Sequence, residues 1–185
     1  MSRSYRIFKE LNYAYFVTWT IVDWLNIFSE DLFRQVALDS LAYIRSHKKT
    51  ELNAFVLMPS HIHAIFWPND GTNLSDVIRD FKRFTSRKIS NEAEKQNRTD
   101  WLNRFTQARQ HNRASDVSTY QVWQEGSHPE AIFTEEFTRQ KMDYIHLNPV
   151  RAGLVQTADE WRYSSARAYL LGEETYPPTD LLIVR

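Results

Sequence analysis

The stretch Val56-Leu-Met-Pro-Ser-His-Ile-His-Ala-Ile-Phe-Trp67 (VLMPSHIHAIFW) organises the reading of this chain. Two short apolar runs, Leu52 to Met58 and His61 to Trp67, meet at Pro59 and Ser60, the pattern of a β-hairpin. Upstream, Tyr13 to Val22 (YAYFVTWTIV) is aromatic and β-branched and reads as a strand. Between it and the hairpin the spacing predicts a helix over 30–47. Ser29 serves as its cap, acids fill the first turn, and Phe33, Val36, Leu41 and Ile44 form an apolar stripe.

Downstream, a second helix starts at Leu74 behind Asn73. Val77, Ile78, Phe81 and Phe84 are expected to be buried, while Arg79, Arg83 and Arg87 share another face with Lys82 beside them. Residues 91–118 are polar and basic and are expected to form a long mobile insertion. Thr119 to Gln124 (TYQVWQ) reads as a fourth strand, and a third helix runs from Glu135, behind Thr134, to the region of Pro149, with Gly153 a stop soon after. The first six elements follow the order of the split β-α-β arrangement. The expected class is therefore α+β: a ferredoxin-like antiparallel sheet with helices on one face, plus a C-terminal helix and tail, in one domain over 1–185.

Composition narrows the function classes. Four glycines argue against a glycine-rich nucleotide cradle, and zero cysteines exclude disulfides, thiolate zinc sites and a cysteine nucleophile. No apolar run approaches the length that spans a bilayer, and the first residues lack a secretory leader pattern, so a cytoplasmic protein without membrane contact is expected. The net charge is zero but segregated: residues 79–113 hold 10 basic and 4 acidic side chains, and residues 114–185 hold 6 and 11. Such a basic segment either tracks phosphates or is a solvated charged surface.

Two constellations carry chemistry. On a strand, His61 and His63 project from one face while Ile62 points to the other, so the imidazoles can share a divalent cation. Two polar residues on the open side of a half-buried strand are the plainer alternative. In the third helix, Tyr144 and Asn148 lie four apart and share a face. Beside a metal-bound phosphate a tyrosine hydroxyl can attack phosphorus, and an asparagine carbonyl is a hard metal ligand. Equally, Tyr144 suits a core or rim aromatic, and Asn148 before Pro149 suits a helix cap. His146, in the same helix, sits near other polar groups.

The segments VLMPSHIHAIFW (56–67) and DYIHLNPVRAGLV (143–155), in that order, resemble the REP-associated tyrosine transposases. These belong to the single-tyrosine HUH endonucleases, named for a histidine, hydrophobic, histidine motif. The resemblance extends to Val122-Trp-Gln-Glu-Gly126 and to Trp161–Tyr169 (WRYSSARAY), and departs at the basic insertion and at Ser127-His128-Pro129. It implies a ferredoxin-like core, Tyr144 as nucleophile, and His61, His63 and Asn148 as ligands to Mg²⁺ or Mn²⁺. The implied substrate is single-stranded DNA beside a REP-like hairpin, cleaved through a 5′-phosphotyrosine; the oligomeric state, monomer or homodimer, stays open. Arg79, Lys82, Arg83 and Arg87, followed by Arg98, Arg104, Arg109 and Arg113, are candidates for stem phosphates, and Trp101, Tyr120 and Trp123 for base stacking. A non-catalytic nucleic-acid-binding module and a hydrolase using activated water remain the rival readings.

Overall fold

The computed structural model describes residues 13–111, 119–126 and 129–182. Its elements are β1 (Ala14–Thr20), α1 (Asp31–His47), β2 (Thr50–Leu57), β3 (His61–Pro68), α2 (Leu74–Lys95), α3 (Thr99–His111), β4 (Glu130–Ile132), α4 (Glu135–Arg151) and α5 (Ala166–Leu171). The four strands form one sheet in the order β2-β3-β1-β4, every neighbouring pair antiparallel. This is the expected α+β, ferredoxin-like arrangement.

Period-two alternation sorts the side chains into two layers. Tyr15, Val17, Trp19 and Ile21 of β1, with Ile62, Ala64 and Phe66 of β3, face a core closed by α1, α2 and α3. Phe16, Ile65 and Val56 face the other way, against Met142 and Ile145 of α4. A register shift in β2 between Leu52 and Ala54 switches which residues face which layer. The free edge of β2 is covered by the C-terminal segment, where Leu57 N–H donates to Tyr163 O and Ser165 N–H to Phe55 O. An uncovered edge of this length would invite pairing with another chain.

Four expectations are corrected. Helix α1 begins one residue later than expected: Ser29 ends a short 3₁₀ turn, and Glu30 occupies the cap position without a side-chain cap bond. Phe84 is 53% exposed, because the buried face of α2 rotates past it to Thr85, Ile89 and Ala93. The segment 91–118 is largely helical: α2 continues to Lys95, and α3 docks by Trp101 and Phe105, four apart on one face. Trp101 meets Phe33 edge-on at 5.2 Å, and Arg98 lies over Trp101 while pairing with Glu30. Residues 112–118 of that segment, Arg113 among them, lie outside the described residues, as do Ser127 and His128.

The fourth strand is not 119–124 but Glu130–Ile132, which pairs with Ala14–Phe16. Val122 and Trp123 are both buried although adjacent, which a half-buried alternating strand does not allow. Their segment runs beside the end of β1 without forming a ladder: it makes the isolated bridge Ile21↔Trp123, and Gln124 N–H donates to Thr20 O at 2.8 Å. The Trp123 indole N–H donates to Thr85 Oγ1 at 2.8 Å, and the ring packs near Phe28 and Phe81. Neither Trp123 nor Trp101 is available for stacking bases.

Candidate active site

The site lies on the α4 side of the sheet. In β3 the odd-numbered residues face that side, so His61 and His63 point to one layer while Ile62 enters the main core. Their rings stand 4.8 Å apart between centroids. His63 is 4% exposed, stacks on Phe16 at 5.5 Å, and shares a 2.8 Å hydrogen bond between its Nδ1 and Thr18 Oγ1, its cross-strand partner on β1. His61 Nδ1 is engaged by Ser60 Oγ at 3.1 Å. With both Nδ1 atoms occupied, Nε2 is the remaining nitrogen of each ring.

Burial keeps these imidazoles neutral. Desolvation, then the neighbouring His61 and Lys141, pushes His63 down to about 3. His61 is also lowered by burial, partly opposed by a hydrogen bond that its ring N–H donates to the Asn148 side-chain oxygen. Both are therefore neutral near pH 7, each ring keeping one N–H and one lone pair, which is the ligating form of histidine.

Helix α4 brings the other two groups. Thr134 caps it by accepting from Phe137 N–H at 3.2 Å, and it continues through Pro149 to Arg151. Asn148 is thus interior to the helix and not its cap, and its side chain turns to His61. One turn earlier, Tyr144 meets His63 edge-on at 4.9 Å and Phe16 at 5.9 Å, with 39% of its surface exposed. A tyrosine so placed is a rim residue and not a core one. Two imidazole nitrogens, an amide oxygen and a phenol therefore converge from two elements.

The donors suit a hard divalent cation that keeps open positions for water and phosphate oxygens: two neutral nitrogens and one amide oxygen, with no carboxylate among them. Among the described residues no group of three His, Cys, Asp or Glu side chains gathers as a metal site, so the third donor here would be the Asn148 amide. His146 takes no part. Its Nε2 lies 2.9 Å from Ser165 Oγ, which also accepts from Phe55 N–H, so it locks α4 to the C-terminal segment.

Sequence reasoning misses several neighbours of this cluster. Thr18, opposite His63 in β1, carries no motif to mark it. Arg151, seven residues after Tyr144 and on the same helical face, places its guanidinium 6.0 Å from the Tyr144 ring centre. Trp24 meets His61 edge-on at 5.4 Å. Lys141 lies 4.3 Å over Phe16 and 2.7 Å from Glu130. A cavity of about 200 Å³ opens beside the histidines, lined by Thr18, Thr20, Gln124, Glu125 and Gly126.

The basic candidates are arranged differently from expectation. Lys82 leaves the arginine stripe: it is half-buried, donates to Gln124 O at 3.1 Å beneath that cavity, and is lowered to about 8 by burial. Arg79, Arg83 and Arg87 are exposed on α2, in the layer across the sheet from Tyr144. Arg79 pairs with Asp76 at 2.6 Å and Asp80 at 3.4 Å, and Arg83 with Asp80 at 3.6 Å, so their partners are on the same helix and not in the acidic C-terminal third. Arg104 pairs with Asp23, and Tyr120 is partly buried and hydrogen-bonded to Glu94. Among the described residues no helix is long and apolar enough to cross a membrane.

Comparison with known proteins adds to this geometry. Residues 10–124 match the family model described as Transposase IS200 like, more than half the chain. The match includes the histidine pair and ends before α4, so Tyr144 and Asn148 lie beyond it. A REP-associated tyrosine transposase of Escherichia coli (strain K12) is 26% identical over 132 residues, 71% of this chain and 63% of that protein. The matches span less than two thirds of the length of the curated relatives. A solved structure of a REP-associated tyrosine transposase bound to a REP hairpin shares the fold, with a TM-score of 0.63, 20% identity, and coverage of 93% of this chain and 87% of that one.

Proposed function

This chain belongs to the IS200-like transposase family, and from that membership and the site geometry we propose that it cuts and rejoins single-stranded DNA beside a hairpin. The observation that carries the reading is the meeting of Tyr144 with His63, one helical turn from an Asn148 side chain that reaches His61. The phenolic oxygen of Tyr144 attacks phosphorus, the bond from phosphorus to the 3′-side oxygen breaks, and the products are a 5′-phosphotyrosine and a free 3′-hydroxyl. The phenolic proton leaves to solvent as the new bond forms, and the departing 3′ oxygen takes up a proton from solvent. The bond energy is retained in the tyrosyl ester, so the hydroxyl of a strand end reverses the step without a nucleotide cofactor.

His61, His63 and Asn148 would hold Mg²⁺ or Mn²⁺, which supplies neutralisation of charge on the phosphate oxygens. Thr18 and Ser60 fix the ring nitrogens that face away from that ion. Arg151 places a permanent cation beside the nucleophile, where it attracts the phosphate. A REP-like hairpin is the proposed partner, in keeping with the hairpin bound by the structural relative. Its stem phosphates would meet Arg79, Arg83 and Arg87 on α2.

Denaturing electrophoresis after incubation with labelled single-stranded hairpin DNA and Mn²⁺ tests this directly. The label should move to the protein band, and Tyr144→Phe should abolish the adduct and the cut while DNA binding persists, because phenylalanine has no oxygen to attack with. Cleavage without an adduct would replace this reading with a water nucleophile. Binding without cleavage would reduce the chain to a DNA-binding module.

A further inference from the structure

Trp24 is a large aromatic that the proposed mechanism does not use and that the core does not bury. It is 58% exposed, yet its ring stands 5.4 Å from that of His61 at an interplanar angle of 74°. The backbone that presents it is unusual. Asp23 and Trp24 are consecutive non-glycine residues in the left-handed region, at φ of 52° and 55°. Side chains with a Cβ adopt that conformation at a cost, and it persists only where the surroundings over-determine it.

The surroundings do so here. Ile21 N–H donates to Ser60 O at 2.9 Å and Val22 N–H to Val122 O at 2.9 Å, while Phe28 N–H closes onto Pro59 O at 3.0 Å. The turn after β1 is thereby stitched to the Pro59-Ser60 turn that immediately precedes His61. From outside, Arg104 of α3 pairs with Asp23 at 3.2 Å. Helix α3, whose polar composition suggests a mobile insertion, thus props the turn that carries Trp24. A tryptophan placed for packing would be turned inward; this one is held at the rim of the histidine cluster with most of its surface in water.

We propose that Trp24 is the stacking platform for an unpaired DNA base next to the phosphodiester that sits at His61, His63 and Tyr144. The choice of ligand rests on the function proposed above. An indole beside a phosphate-binding site offers a flat, apolar surface that every base can cover, so the platform fixes the strand's register without selecting its sequence. It accounts together for the exposure, the backbone conformation and the contact with His61.

The test uses the full chain carrying Tyr144→Phe, so that cleavage does not deplete the strand. Affinity is measured by fluorescence anisotropy on a hairpin with a single-stranded flank, and on a series in which one abasic site steps along that flank. Trp24→Ala should weaken binding to the intact strand about 5- to 150-fold, the span expected for one stacked base. At one flank position the abasic substitution should weaken the Trp24 protein similarly and add nothing to Trp24→Ala. Trp24→Phe, which keeps a ring, should recover most of the affinity. Unchanged affinity of Trp24→Ala, or an equal loss on the intact strand and on every abasic strand, overturns the proposal. Failure of the catalytic reading shows separately, as a protein with Tyr144 intact that binds the strand and forms no covalent adduct.

Discussion

Replacing Thr18 by valine removes one oxygen from the site and almost nothing else, since the two side chains have the same shape. That oxygen lies 2.8 Å from His63 Nδ1, and His63 is 4% exposed, so the ring nitrogen depends on this partner. Leaving a buried polar atom without its partner costs about 1–3 kcal/mol of stability. The same bond holds the His63 ring in the orientation and tautomer that direct Nε2 toward the proposed ion. Loss of such a supporting bond lowers metal affinity about 10- to 100-fold. Chemical denaturation and Mn²⁺ titration calorimetry on Thr18→Val, His63→Ala and the double variant measure both effects. Thr18→Val should lose stability and Mn²⁺ affinity, Thr18→Ser should retain both, and the valine should add little once His63 is alanine. Mn²⁺ affinity unchanged in Thr18→Val, or an equal stability loss with and without His63, would refute the argument that the hydroxyl acts through this imidazole.

Asn148→Ala should weaken Mn²⁺ binding less than the pair His61→Ala with His63→Ala, because water can replace an amide oxygen more readily than two imidazoles; equal losses in calorimetry would contradict the assignment. The triple change of Arg79, Arg83 and Arg87 to alanine should lower the slope of log affinity against log salt by roughly two to three, about 0.9 for each phosphate that is no longer neutralised. Its melting temperature should barely move, since the arginines' ion pairs with Asp76 and Asp80 are exposed pairs on one helix; an unchanged salt slope would remove the arginines from the DNA interface. Acidification should destabilise the fold through His146, whose pKa burial lowers from 6.5 to about 4. Between those values the unfolded chain binds a proton that the folded chain does not, so stability is present above about 6.5 and is lost as pH falls toward 4. The loss is on the order of 3 kcal/mol in all. Urea unfolding at pH 7 and pH 4.5 should show a smaller acid loss for His146→Asn, and parallel losses would falsify the attribution.

What the sequence by itself determined is whatever depends on local periodicity. Alternation in a strand places His61 and His63 on one face whatever lies around them, and the helical period places Tyr144 one turn from Asn148. The apolar runs on either side of Pro59-Ser60 define a hairpin, and the element order then leaves few ways to close an antiparallel sheet. Phe84 and the arginines show where periodicity stops: apolar spacing says that a face exists, but the neighbouring helix decides where its edge falls. The segment around α3 reads as an insertion because its few apolar residues are outnumbered by polar ones, and only the pocket made by Phe33 reveals why Trp101 and Phe105 suffice to dock it. The fourth strand lies at 130–132 and not at 119–124 because pairing along β1, and not residue preference, chose the partner. Thr18, Trp24 and Arg151 lie far from the histidine motif in sequence and carry no signature of their own. They join the site because strand register, the turn stitched to Pro59 and Ser60, and the continuation of α4 past Pro149 bring them there.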